Sequence, residues 1–218
     1  MYKWEDLEVV IPAVMSIPER ADSVLELLRE LSRQCSGIKV HIMPQWYEET
    51  PDWRDVFVTI SRGLQNLTSP WVLYFEDDAE LAPDFGELAM AAIESAEDSW
   101  GAISFFSDRE IDHFICKGQI KMCEAYSPFV NSQALAIRKE VADLWGQKMV
   151  AWWDRVTRHK KKAPDMALGD ICCQAGYRIM IHLPSIVQHR KIPSAFGHGY
   201  HSYSRTFEMR RMIREGSQ

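Results

Sequence analysis

Val9-Val10-Ile11 followed by Pro12 is an apolar run of the length of a buried strand, and from Arg20 to Leu31 the residues Val24, Leu27, Leu28 and Leu31 recur at the spacing of one helix face. Strand followed by helix is the opening of an α/β sheet. Lys39 to Met43 predicts a second strand, far enough from the first for the crossover that parallel neighbours require. Val56 to Leu67 predicts a second helix, which Ser69-Pro70 stops. The run Trp71-Val72-Leu73-Tyr74-Phe75 is apolar at every position, so it belongs in the middle of a sheet covered on both faces.

The second half continues the alternation. Phe85 to Glu97 predicts a helix, Trp100 to Phe106 a strand, Gln133 to Ile137 a strand and Lys139 to Gly146 a short helix. Met166 to Ala175 predicts a further helix, closed by Gly176, a residue that accepts the positive φ found just past helix ends. Tyr177 to Leu183 predicts a last strand, ending at Pro184. Asp108 to Pro128 has no clean period and reads as an insertion or a hairpin. Ala195 to Tyr203, rich in Gly, His, Ser and Tyr, reads as a loop, and Arg205 to Arg214 as a basic stretch compatible with a helix. The expectation is an α/β fold in one domain over residues 1–218, with a Rossmann-like, mostly parallel central sheet flanked by helices.

Composition excludes several classes. With 46% hydrophobic and 26% charged residues the chain is an ordinary globular one, and its longest apolar runs fall far short of the roughly 18 to 20 residues of a membrane span. The start, Met1-Tyr2-Lys3-Trp4-Glu5-Asp6, lacks the pattern of a secretory signal, which predicts a cytoplasmic location, the host cytoplasm for a phage-encoded chain. Five cysteines (Cys35, Cys116, Cys123, Cys172, Cys173) are odd in number and lack metal-ligand spacing, arguing against a disulfide framework and a zinc site. Residues 1–109 carry 8 Lys+Arg against 21 Asp+Glu, whereas residues 110–218 carry 17 against 10. The second half therefore offers a basic face to an anionic partner, with Arg158-His159-Lys160-Lys161-Lys162 as its densest run.

In an open α/β sheet ligands sit beyond the carboxyl ends of the strands. Glu76-Asp77-Asp78 stands there, directly after the most apolar strand. Three successive carboxylates repel one another unless a cation offsets them, and a divalent ion with a substrate's phosphates does so. The alternative is a strand end passing into a solvated acidic loop.

The run from Ser69 through Asp78 resembles the segment around the metal-binding acidic motif of glycosyltransferases with the GT-A fold, in which Asp-x-Asp or a variant such as Glu-Asp-Asp ends a central strand. Ile11-Pro12-Ala13-Val14 with Pro18-Glu19-Arg20 is similar to their first nucleotide-binding strand and loop. Pro184-Ser185-Ile186-Val187-Gln188-His189 looks like their late segment whose histidine completes the metal site. The resemblance implies a GT-A-like domain in which residues 9–106 bind a nucleotide sugar, UDP-sugar favoured, residues 107–204 form the acceptor and catalytic half, and 205–218 a basic tail. It implies Mn²⁺ or Mg²⁺ held by Asp78, Asp77 and His189, and donor contacts from Pro12, Ala13, Arg20, Gln45, Arg62, Glu76 and Asp77. It also implies an inverting transfer with a carboxylate base at the start of a late helix. Asp165, 11 residues before Gly176, is the choice, with Asp170 as the other candidate. An N-cap role is the competing reading of Asp165.

Gln133 and the adjacent indoles of Trp152-Trp153, beside the basic run, are read as acceptor-binding. Aromatics next to cations stack on sugars or bases, and the cations add affinity for a phosphate backbone. A hydroxymethylated pyrimidine in DNA is one acceptor consistent with this, and cell-surface saccharide or lipid-linked acceptors are the others. From other classes, a nucleotidyltransferase would want a Gly-rich loop that Ile11 to Arg20 does not contain, and a non-catalytic nucleic-acid-binding module would leave Glu76-Asp77-Asp78 without a role.

Overall fold

The computed structural model describes residues 1–46, 53–108, 121–125, 129, 132–156, 163–193 and 203–207. The basic run at 158–162, most of the 195–203 and 205–214 stretches, and Cys116 lie outside the described residues. In chain order the elements are β1 (Glu8–Val14), α1 (Pro18–Gln34), β2 (Lys39–Gln45), α2 (Trp53–Gly63), β3 (Trp71–Phe75), β4 (Ala79–Leu81), α3 (Phe85–Glu94) and β5 (Trp100–Ser104). They continue with β6 (Lys121–Glu124), β7 (Ala134–Arg138), α4 (Lys139–Arg155), α5 (Pro164–Ala175), β8 (Arg178–Leu183) and β9 (Val187–His189).

Seven strands form one sheet in the order β2-β1-β3-β7-β5-β8-β6, and β4 pairs with β9 in a separate two-stranded sheet. Strands β1, β2 and β3 are parallel, β7 runs against both β3 and β5, β8 is parallel to β5, and β6 runs against β8. Five strands thus point one way and two the other, giving a mostly parallel α/β sheet flanked by helices.

Alternation along the strands sorts the apolar residues between two cores. Val9, Ile11, Leu73, Phe75, Ile103 and Ala136 pack under α1 and α3, with Phe85 set edge-on between Phe75 and Phe105. Val10, Val72, Tyr74, Leu135 and Ile137 pack under α2, α4 and α5, where Trp145 meets Tyr74 at a ring distance of 5.4 Å. Strand β3 is buried throughout and has a neighbour on each side, as its unbroken apolar run predicts.

The elements differ from expectation where tertiary contact overrides local pattern. Helix α4 does not stop near Gly146 but continues to Arg155. Gly146 is there because α2 comes close, a Cβ at that position falling 3.1 Å from Leu64 Cβ. Strand β6 lies within the aperiodic 108–128 stretch, and β4 and β9, three residues each, are too short to carry a period. Gly176 does close α5, with φ 77°. Cys172 faces the core and Cys173 faces out, which leaves each as a helix residue of small volume.

Glu8, at the start of β1, is buried and accepts the backbone N–H groups of Thr68 and Ser69 at 2.7 and 3.0 Å, with His41 Nε2 3.3 Å away. This strap ties β1 to the turn that leads into β3. Burial works to raise the carboxyl's pKa, but the donors outweigh it and hold the group below its ordinary value. A lowered carboxyl stabilises the fold above the unfolded pKa and loses that contribution as pH falls through the folded value. Glu8→Gln should therefore cost about 2 kcal/mol at neutral pH. Urea unfolding should show that difference shrinking as the pH is taken below about 4.

Candidate active site

Strand β3 delivers the acidic run to the carboxyl end of the sheet, between β1 and β7. The chain turns there, Glu76 N–H donating to the Gln133 carbonyl and Ala79 N–H to that of Glu76, and β4 then pairs with β9 so that Ala79 faces His189. This pairing brings the imidazole back to the acidic run. One carboxylate oxygen each from Glu76 and Asp78 and a ring nitrogen of His189 lie within 4.8 Å of one another. His189 Nδ1 is 3.4 Å from Asp78 Oδ2, Gln133 Nε2 donates to Asp78 Oδ1 at 2.8 Å, and Ser132 Oγ donates to Glu76 Oε1 at 2.7 Å.

Asp77 turns the other way. It accepts the Val14 N–H at 2.8 Å from the end of β1 and is paired with the Arg20 guanidinium. Arg20 also reaches Asp78 Oδ2 at 3.4 Å and donates from Nε to the Pro193 carbonyl at 3.1 Å. The sequence reading placed Asp77 both beside Asp78 as a ligand and with Glu76 toward the donor. The turn brings Glu76 and Asp78 together beside His189 and sends Asp77 to Arg20 and the Val14 N–H.

The electrostatics follow from this division. Burial drives Asp77 up to about 7, with Arg20 and the Val14 N–H opposing the rise. Burial also works to raise Asp78, but the hydrogen bond and charge of His189, then Arg20 and Gln133, outweigh it and hold that carboxyl below its usual range. Glu76 is raised by burial and by the charge of Asp78. His189 is lowered by burial and raised more by Asp78, so its pKa ends above the ordinary value.

Two carboxylates and an imidazole on one small perimeter are a donor set that fits a divalent cation. The polar surroundings agree with a site built for a ligand, since Gln133 Oε1 is buried beside the set without a hydrogen-bond partner.

Asp165 lies in the first turn of α5, whose N-cap is Ala163, so it is not the capping residue. It is buried, its Oδ1 accepts the Met166 N–H at 2.8 Å, and the Ser132 backbone N–H also serves its carboxylate. Burial, followed by the charge of Glu76, pushes it up to about 7. Ser132 thus stands between the cation set and Asp165, its hydroxyl on Glu76 and its N–H on Asp165. Nothing in the local sequence marks Ser132 beyond its place before a predicted strand.

The remaining expected residues separate. Asp170 is exposed, and its Oδ2 accepts the Trp152 Nε1–H at 2.8 Å, tying α5 to α4 on a different side of the helix from Asp165. Trp152 is buried against Phe57, with Trp153 tilted on the same ring at 4.8 Å. The two indoles are thus used where α2 meets α4, and Trp152 offers no open stacking face for an acceptor. Gln133, read as an acceptor residue, sits on the acidic run. Gln45 ends β2 buried, with Nε2 unpartnered and its carbonyl accepting the Met15 N–H. Pro12 and Ala13 are buried within β1 just ahead of Val14. Arg62 is exposed in the last turn of α2 and is not among the side chains that reach the carboxylates.

By sequence the chain matches no protein-family pattern and no curated protein. By structure it is similar to a glycosyltransferase involved in the glycosylation of the major capsid of PBCV-1, at TM-score 0.58 and 12% identity, over 82% of each chain. It is also similar to a Drosophila beta-1,4-galactosyltransferase 7 in complex with manganese, UDP-Gal and xylobiose, at TM-score 0.52 and 13% identity, over 94% of this chain and 79% of that one. The chain has the α/β fold of these glycosyltransferases, as its Glu-Asp-Asp segment and strand order imply.

The cluster of Glu76, Asp78 and His189 can be tested directly for cation binding. In an Mn²⁺ titration followed by electron paramagnetic resonance, Glu76→Gln, Asp78→Asn and His189→Ala should each weaken binding at least about 10-fold. Asp170→Ala should leave Mn²⁺ affinity unchanged and lower the melting temperature through the lost Trp152 hydrogen bond, worth about 1 kcal/mol.

Proposed function

We propose that this chain is a metal-dependent glycosyltransferase that moves a sugar from a nucleotide-sugar donor, UDP-sugar in preference, to an acceptor hydroxyl with inversion at the sugar carbon. The observation that carries this reading is the joining, through Ser132, of the Glu76, Asp78 and His189 donor set to a buried carboxylate, Asp165, on a fold shared with solved glycosyltransferases.

Glu76, Asp78 and His189 would hold the cation, Mn²⁺ suiting the mixed oxygen and nitrogen donors. When bound it supplies positive charge against that developing on the departing nucleoside diphosphate. The donor would lie along the strand ends, near Gln45 with its unpartnered amide, while Arg20 keeps Asp77 and Asp78 in place. Asp165 takes the proton of the acceptor hydroxyl as that oxygen bonds to the sugar carbon and the bond from that carbon to the diphosphate oxygen breaks. A base raised to about 7 is ionised in a useful fraction at neutral pH and holds a proton well once it has one. Asp170, committed to Trp152, is not assigned this role.

For the acceptor, the balance of 17 Lys+Arg against 10 Asp+Glu over residues 110–218 favours an anionic molecule, and hydroxymethylated DNA is the first to test. Among the described residues no helix is long and apolar enough to cross a membrane.

A screen of UDP- and GDP-sugars with Mn²⁺ or Mg²⁺ should find one donor that stabilises the protein and is slowly hydrolysed; no response to any donor would sink the reading. Incubation of that donor with hydroxymethylcytosine DNA should add one sugar mass to the modified nucleoside, and an unchanged mass would turn the search to saccharide and lipid-linked acceptors.

Asp165→Asn should keep donor affinity in calorimetry and lose about 10²- to 10⁴-fold in turnover. Turnover of the unaltered enzyme should fall as pH drops below about 7, since the base must be ionised. The same group stabilises the fold while protonated, and that contribution is lost as pH rises through about 7. Asp165→Asn should therefore melt higher than the unaltered protein at pH 8 and close to it at pH 4.

A further inference from the structure

We propose that Arg190 is a positioning residue for the cation, holding His189 in register with Asp78; the inference rests on the metal reading above. Arg190 follows His189 directly, and its backbone N–H donates to the Asp78 carbonyl at 2.7 Å. Its guanidinium then spreads over two elements. Nε donates to the Ala79 carbonyl at 3.2 Å, Nη1 donates to Glu26 Oε2 at 2.7 Å, and Nη2 lies 3.3 Å from Glu30 Oε2. Glu30 also accepts the Leu81 N–H at 3.1 Å, so one pair of glutamates on α1 grips both strands of the small sheet.

The need for such a grip is in the length of that sheet. Strands β4 and β9 meet over three residue pairs, Ala79 with His189, Glu80 with Gln188 and Leu81 with Val187, and a ladder this short is marginal by itself. A slip of one residue would turn the imidazole to the opposite face. Phe106 meets the His189 ring edge-on at 5.1 Å, which orients the ring without setting its position along the strand. Arg190 does set it, because its planar guanidinium hydrogen-bonds Ala79 and Glu26 and ion-pairs with Glu30 at once, contacts that a shift along the strand would lose together.

Helix α1 thereby touches the site at two points. Arg20 in its first turn holds Asp77 and Asp78, and Glu26 with Glu30, nearly two and nearly three turns further on, hold Arg190. The helix sets the spacing between the acidic run and the histidine. The residues that achieve this were not visible as a set in the sequence, since Glu26 and Glu30 stand 164 and 160 positions before Arg190.

The test uses Mn²⁺ titration by electron paramagnetic resonance at fixed UDP on the unaltered protein, Arg190→Lys and Arg190→Ala, with melting of each metal-free protein alongside. Lysine keeps the charge and loses the three-way geometry, so Arg190→Lys should weaken Mn²⁺ binding at least about 3-fold and Arg190→Ala about 10- to 100-fold. If Arg190→Ala does not fold, Arg190→Lys decides. A folded variant that melts lower yet binds Mn²⁺ as the unaltered protein does would show a clamp without bearing on the cation and overturn the inference alone. Absence of Mn²⁺ binding by the unaltered protein would overturn the metal reading and this inference with it.

Discussion

Consecutive carboxylates withdrawn from water repel one another, and the surroundings of Glu76, Asp77 and Asp78 follow from the need to offset that repulsion. Asp77 and Asp78 are almost wholly buried. Each carboxylate meets a different answer: Arg20 and a strand-end N–H for Asp77, an imidazole and an amide for Asp78, a serine hydroxyl for Glu76. Leaving buried charge unpaired costs several kcal/mol per group, so these partners are structural necessities before they are functional ones. The residual negative charge on one side of the run is what a cation would answer.

The sheet order makes the arrangement possible. Strand β3 lies between β1 and β7, so β1 supplies the Val14 N–H on one flank and the start of β7 supplies Gln133 and Ser132 on the other. Two cores, one on each face, immobilise the strand that carries the acidic run. The antiparallel insertion of β7 between β3 and β5 is therefore more than a departure from a parallel sheet. It brings to the site the start of a strand where a parallel strand would bring its finish, and so places Ser132 between Glu76 and Asp165.

Much of this was legible in the chain. The apolar run at Trp71 to Phe75 announced a central strand, Gly176 a helix end, and the Glu-Asp-Asp segment with His189 a cluster of potential ligand groups. What escaped reading was long-range or one-residue geometry. Local sequence carries no signal for which of three neighbouring carboxylates faces a histidine 111 positions later. It could not tell that Gly146 marks a close approach of two helices rather than a helix end, nor that Trp152 is spent on Phe57 and Asp170. Paired indoles and a basic run look like a binding surface in one dimension; in three, the helix crossing accounts for Trp152 and for much of Trp153.

The joining of β4 to β9 has a consequence for how the protein comes to be. His189 and Asp78 are 111 residues apart, and closing an unstructured loop of that length costs on the order of 4 kcal/mol in chain entropy. Contacts of such high sequence separation form late, after local helices and neighbouring strands have shortened the path. During synthesis the acidic run emerges well before its histidine and arginine, and waits with its charges in water. The Glu76, Asp78 and His189 cluster is thus incomplete until β9, the last of the described strands in chain order, has docked, so that any competence for a ligand there waits on that long-range step.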